Sequence, residues 1–151
     1  SMAQLCLDPE ITKYMDYIEC KNVDEVRTWL EDKIMHNQRN PRFSYGFGIV
    51  EKATTNMVGW IGIGKAETPD KGDMDFGYAV HKNYWGKGYA SEALKGLLDF
   101  CFANLDVHKI TGECDENNIG SIKVMEKAGM SLEKTIKEAG GEITKRFAIA
   151  R

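Results

Sequence analysis

The chain has 151 residues, 42% of them hydrophobic and 28% charged, the make-up of an ordinary globular chain of one-domain length. Its formal net charge is −3 and no block of like charge occurs, so no nucleic-acid or anionic-membrane footprint is present and a cationic partner suits it better. Cys6, Cys20, Cys101 and Cys114 lie far apart, His36, His81 and His108 do not join them at metal-ligand spacing, and no apolar run reaches about 18 residues; the expectation is a reduced, cytoplasmic protein without structural metal, signal peptide or membrane span.

Asn22 is placed to cap a helix, with Glu25 three residues on as in a capping box. Val23, Val26, Leu30 and Ile34 keep the helical period, which predicts a helix from about Val23 to Asn37. Asn40-Pro41 breaks that pattern, and Phe43, Tyr45, Phe47 and Ile49 alternate as a strand with one buried face does. A turn at Thr54-Thr55-Asn56 leads into a strand from Met57 to Gly64, completing a hairpin. Asp70-Lys71-Gly72 makes the next turn and Met74 to His81 the next strand.

The clearest helix follows Asn83-Tyr84-Trp85-Gly86-Lys87-Gly88: Ala90, Ala93, Leu94, Leu97, Leu98, Cys101, Phe102 and Leu105 form one continuous apolar face. Then come a strand from about His108 to Cys114, the polar loop Asp115-Glu116-Asn117-Asn118, and a short helix Ile119 to Ala128 closed by Gly129. A hairpin of Ser131 to Lys137 and Ile143 to Ala150, turning at Gly140-Gly141, ends the chain. Helix, three antiparallel strands, long helix, strand, short helix and two strands predict an α/β (α+β) domain with a mixed sheet flanked by helices, in one domain spanning 1–151.

A strand that runs through a glycine turn into a helix leaves the first N–H groups of that helix unpaired, where the macrodipole adds positive character. Gly86 and Gly88 keep side chains out of the way of an approaching diphosphate, and Lys87 adds a charge. Glycine serving turn geometry alone is the competing reading. Two nucleotide motifs do not fit. A Walker A loop needs a hydroxyl residue after the lysine, and Gly88 stands there; a dinucleotide fingerprint beginning at Gly86 has Ser91 at its third glycine.

The segment Asp75-Phe76-Gly77-Tyr78-Ala79-Val80, followed by Tyr84-Trp85-Gly86-Lys87-Gly88-Tyr89-Ala90-Ser91-Glu92-Ala93-Leu94, resembles the cofactor motif of the GNAT superfamily of acetyltransferases, in its ribosomal-protein N-terminal acetyltransferase (RimJ/RimL-like) branch. Asn118-Ile119-Gly120-Ser121 and Glu126-Lys127-Ala128-Gly129-Met130 look like that branch's second motif. The resemblance extends over nearly the whole chain. It implies the GNAT acyl-CoA N-acyltransferase fold, with acetyl-CoA or coenzyme A as cofactor and an amine-bearing acceptor, a peptide N-terminus or a small molecule, as partner. It further implies that backbone amides of Gly86, Lys87, Gly88, Tyr89 and Ala90, next to Trp85, bind the pyrophosphate. Tyr78, Ala79 and Val80 would pair with the pantetheine arm where the following strand splays away, Asn118 and Ser121 would close on its thioester end, and Lys127 would reach a phosphate. Outside the resemblance, Asn118 reads equally well as a helix cap and Lys127 as a solvated lysine.

Acyl transfer from a thioester needs a neutral amine and a stabilised oxyanion, the second supplied by a backbone N–H near Ala79 or Val80. An α-amine of pKa near 8 is about 10% neutral at pH 7 and a lysine roughly 0.04%, a gap of about 3 kcal/mol. Lysine acceptors therefore lean harder on a general base. Asp75, where this branch commonly carries Glu, is the first candidate base and Glu113 the second. Met125 occupies the position where many GNAT enzymes have a tyrosine that protonates the leaving thiolate, which leaves Ser121 as donor.

Family members usually open with a strand, whereas Leu5-Cys6-Leu7 is too short to form it. The expectation is a sheet lacking that first strand, with Phe43 to Val50 exposed at the edge or covered by a second copy in a homodimer. Met125 and the missing strand also admit a different class of function, a non-catalytic CoA- or acyl-CoA-binding module.

Overall fold

A computed structural model describes residues 1–15, 20–66 and 72–151. Strands β1 (Ser44–Val50), β2 (Met57–Lys65), β3 (Asp73–Val80), β4 (Lys109–Asp115), β5 (Ser131–Lys137) and β6 (Ile143–Ala150) stand in the order β1-β2-β3-β4-β6-β5. The helices are α1 (Met2–Leu7), α2 (Pro9–Thr12), α3 (Val23–Gln38), α4 (Tyr89–Asn104) and α5 (Ile119–Lys127). The β3–β4 pair is parallel and the β1–β2, β4–β6 and β5–β6 pairs are antiparallel, so the mixed sheet is as expected. Contacts divide the chain into two compact units, Ser1–Gly64 with Tyr78–Tyr89 and Lys65–Gly77 with Ala90–Arg151.

In the first unit the Asn22 side chain accepts from the Glu25 N–H at 3.0 Å, and the Glu25 carboxylate accepts from the Lys21 N–H at 2.7 Å, satisfying two donors at the start of α3. Val26 is buried, and Trp29 and Leu30 pack with it against a cluster of Met2, Leu5, Cys6, Ile11, Met15 and Ala79. Trp29 meets Trp60 of β2 edge-on at 5.7 Å. Val23 and Ile34, read from their period as core residues, are each 54% exposed. The α3 residues that pack against the cluster are Val26, Trp29 and Leu30, so the apolar stripe is narrower than the period suggests. Similarly, β1 buries only Ile49, while Phe43 and Phe47 are exposed.

Residues ahead of Asp8 form α1 rather than a strand, and β1 is an edge strand, as anticipated. That edge is partly capped by side chains. Asn37 Nδ2 donates to the Gly46 carbonyl at 3.0 Å and Asn37 Oδ1 accepts from the Gly46 N–H at 2.9 Å, while Arg42 Nε donates to the Ser44 carbonyl at 2.9 Å. The carboxamide thus imitates a neighbouring strand at Gly46. Sequence periodicity does not disclose α1 and α2, which are six and four residues long. Of the expected Asp70-Lys71-Gly72 turn, Asp70 and Lys71 lie outside the described residues; Gly72 adopts a left-handed φ of 95°.

In the second unit α4 buries Leu94, Leu97, Leu98 and Cys101, and Val107, Ile110, Met125 and Phe147 are buried in the same unit. The end of α5 is a Schellman motif: Gly129 has φ 90°, and the Met130 N–H reaches the Met125 carbonyl at 3.1 Å. Met125 and Met130, the hydrophobic pair of that motif, are both buried.

Candidate functional site

In the first unit, β3 runs out through Tyr78, Ala79 and Val80 into a short 3-10 turn, Lys82–Tyr84, and then Trp85-Gly86-Lys87-Gly88 before α4 begins at Tyr89. Gly86 and Gly88 take φ of 74° and 89°, a region costly for residues with a Cβ. Among the described residues beyond its chain neighbours, no heavy atom comes within 4 Å of a Cβ placed at either, so the turn is open on that side as well as left-handed. Trp85, 52% exposed, donates its indole N–H to the Val80 carbonyl at 2.6 Å and staples the entrance of the turn to the end of β3. The Lys87 ammonium lies 5.3 Å above the Tyr84 ring, and Tyr84 meets Tyr89 edge-on at 5.6 Å.

Main-chain direction along β3 follows from two bonds to the β2 side. The Ala66 N–H reaches the Asp73 carbonyl at 3.1 Å, and the His81 N–H reaches the Val58 carbonyl at 2.8 Å. Alternation then turns the amides of odd-numbered residues, Ala79 among them, toward β2, and those of Tyr78 and Val80 to the opposite edge. Close approach holds Ala79 there: a Cβ on Gly59 would run into the Ala79 carbonyl. Of the two backbone N–H groups expected to be available to an acyl oxygen, it is Val80 that points away from β2.

The second unit brings Asp75, Thr111, Glu113 and Arg146 onto one face. Asp75 pairs with Thr111 in the parallel register, and the buried Thr111 hydroxyl donates to Asp75 Oδ1. Glu113 sits two residues further along β4, opposite Arg146 of β6, whose Nε and a terminal guanidinium nitrogen approach its Oε1 at 2.6 and 2.5 Å. That bond raises the Arg146 guanidinium further above its ordinary value. Among the described residues, the β3–β4 register comprises three pairs, from Asp73–Lys109 to Asp75–Thr111. One residue beyond it the Phe76 ring lies on Gly112, where a Cβ would have no room.

Asn118 caps α5, its Oδ1 accepting from the Ser121 N–H at 3.1 Å. Ser121 is half-buried beside it, and Lys127 is exposed in the last turn of α5, where a cation complements the helix dipole. Met125 is 1% exposed, so its side chain belongs to the core. Ala90 is the second residue of α4. One contributor escaped the sequence reading. Glu51, in the turn after β1, accepts from Thr54 Oγ1 and from the Tyr89 hydroxyl, and these bonds, with Lys87 near, hold its carboxyl below the usual range. No motif marks it, because the link spans 38 residues.

The residues fit a diphosphate-bearing cofactor: two left-handed glycines with a lysine between them, open space at their Cβ positions among the described residues, and a 16-residue helix beginning at the next residue. The family model described as "Acetyltransferase (GNAT) domain" matches residues 1–131. An uncharacterized N-acetyltransferase, p20 of Bacillus licheniformis, is 31% identical over 140 residues, covering 91% of this chain and 75% of the relative. Among solved structures, RimL, a ribosomal L7/L12 α-N-protein acetyltransferase in complex with coenzyme A, has a TM-score of 0.83 at 20% identity, covering 98% of this chain and 85% of that one. Spermidine N-acetyltransferase from Vibrio cholerae, in complex with coenzyme A and spermine, has a TM-score of 0.79 at 19% identity, over 98% and 86%. The two structures speak to fold, and the family model together with the sequence relative settles the kinship: the chain belongs to the GNAT family of acetyltransferases.

Proposed function

We propose that the chain transfers the acetyl group of acetyl-CoA to a primary amine by direct attack in a ternary complex, as a member of the RimJ/RimL-like branch, with peptide α-amines as its preferred acceptors. The observation that carries this reading is the open left-handed turn Gly86-Lys87-Gly88 at the start of α4, adjoining the outward-facing amides of Tyr78 and Val80. Amides of Gly86, Lys87, Gly88, Tyr89 and Ala90 take the pyrophosphate, and Tyr78 takes a pantetheine amide as a neighbouring strand would, which leaves the Val80 N–H to the thioester end. Ala79 contributes through its backbone path and its packing. Asn118, already a cap through Oδ1, offers its Nδ2 to the thioester end, and Lys127 offers a charge to a phosphate.

For the chemistry, the Val80 N–H stabilises the oxyanion and Asp75 accepts the amine proton. Asp75 is preferred to Glu113 because it lies on β3, the strand that also carries Tyr78 and Val80. The Ser121 hydroxyl donates a hydrogen bond to the departing thiolate, which is a tolerable leaving group without being protonated, since the thiol pKa is about 8.5. With Met125 in the core and one carboxylate as base, the arrangement favours acceptors that are already partly neutral near pH 7.

Thiol release from acetyl-CoA, followed against a panel of peptides with free N-termini, spermidine and an aminoglycoside, tests this. Peptides should give the highest kcat/KM, and Asp75→Asn should lower it on the order of 100-fold. Coenzyme A binding with no turnover on any amine would instead establish a non-catalytic acyl-CoA-binding module.

A further inference from the structure

We propose that Glu51 is a positioning residue for the cofactor turn: its carboxylate holds the Tyr89 side chain and thereby fixes the backbone amides at the start of α4 for a diphosphate. The proposal rests on the reading that coenzyme A binds at this turn. Among the described residues beyond their chain neighbours, nothing lies within 4 Å of a Cβ built on Gly86 or Gly88, so no side chain is clamped against that side of either glycine. Glycine segments lose the most conformational freedom on ordering, and a ligand that meets a disordered loop bears that cost. Anchors on each side of the turn remove it. At the entrance the Trp85 indole is bonded to the Val80 carbonyl at 2.6 Å.

At the exit the Tyr89 hydroxyl donates to Glu51 Oε1. Glu51 is itself well held. Thr54 Oγ1 donates to Oε2 at 2.5 Å, the Glu51 N–H reaches the Asn56 carbonyl at 2.9 Å, and its carbonyl accepts from the Thr55 N–H at 2.8 Å. The Tyr89 ring supports Tyr84 edge-on, and Tyr84 in turn lies under the Lys87 ammonium. All of these residues lie in the first compact unit. A carboxylate near a diphosphate is electrostatically unfavourable, so its negative charge does not account for its place. What Glu51 supplies is a fixed acceptor.

Calorimetric titration of coenzyme A into the wild-type chain, Glu51→Ala, Glu51→Gln, Tyr89→Phe and the Glu51→Ala/Tyr89→Phe double variant tests this, with a thermal melt of each. Glu51→Ala and Tyr89→Phe should each weaken binding about three- to tenfold, and the double variant no further than either. Glu51→Gln keeps an oxygen for Tyr89 and should stay within about twofold of wild type. Additive losses, unchanged binding in Glu51→Ala, or a loss in Glu51→Gln equal to that in Glu51→Ala would overturn the proposal while leaving the cofactor reading intact. A wild-type chain that does not bind coenzyme A overturns both. Should Glu51→Ala melt out, Tyr89→Phe and Glu51→Gln decide, the first weakened and the second not.

Discussion

Lys82 follows β3 by two residues, and its ammonium forks between Asp8 at 3.0 Å and Glu10 at 2.9 Å. The Lys82 bond, then the Glu10 N–H, holds the Asp8 carboxyl below its ordinary value, while Glu10 and then Asp8 raise the lysine above its own. A depressed carboxylate stabilises the fold above its unfolded pKa, near 3.9, and that contribution is lost as pH falls through the lower folded value. A raised lysine stabilises the fold below its unfolded pKa, near 10.4, and that contribution is lost as pH climbs through the folded value. Lys82→Met should therefore lower Tm on the order of 2 °C between about pH 5 and 9, with the gap closing at both extremes. Melting curves across the range check it; a gap independent of pH would assign the effect to lost packing. The thiols contribute differently. Burial pushes Cys6, Cys101 and Cys114 to about 11, so they stay protonated near neutral pH and serve as small apolar groups.

Among the elements, β1 shows how an edge is managed. Its Gly46 would present an outward N–H and C=O to any passing strand, and Asn37 occupies both. Asn37→Ala should cost about 1 kcal/mol, seen in chemical denaturation, and should increase self-association in light scattering. Asn37→Asp, which keeps the acceptor and loses the donor, should fall between. An unchanged mass and midpoint for Asn37→Ala would mean that the carboxamide does not guard the edge. Helix α4 was legible because eight apolar residues hold one face over four turns, and β5 and β6 because glycine marks their turn. The α3 and β1 faces were read too widely. Periodicity records which residues are apolar, whereas burial depends on what tertiary neighbour lies opposite; Ile34 has the right phase yet is exposed, and Phe47 alternates correctly on a strand at the sheet's edge. Short helices such as α1 carry too few turns to register any period.

Across the whole molecule, motif residues were easier to find than their supports. Gly86, Lys87 and Gly88 stand together in the sequence, so a glycine turn leading into a helix is legible from local order, and the left-handed φ values at Gly86 and Gly88 are ones that glycine adopts freely. Glu51, Thr111 and Arg146 act across 33 to 38 residues of chain through hydrogen bonds to Tyr89, Asp75 and Glu113. Such pairings carry no local signature. Direction along β3 was equally hidden, because the side-chain pattern does not say which edge an amide faces; only the bonds of Asp73 and His81 to the β2 side show that Val80 points away from it. The central claim, that this turn holds acetyl-CoA, is tested most directly by titrating acetyl-CoA into the wild-type chain and the Gly86→Ala/Gly88→Ala variant, with ATP as competitor. Since a Cβ at either glycine would meet no described atom beyond its chain neighbours, alanine should alter the turn through its left-handed φ and leave the rest of the fold in place. We predict one-to-one binding by the wild type, a loss of at least about tenfold in the variant, and no displacement by ATP; equal affinity of the two chains, or displacement by ATP, would contradict the account.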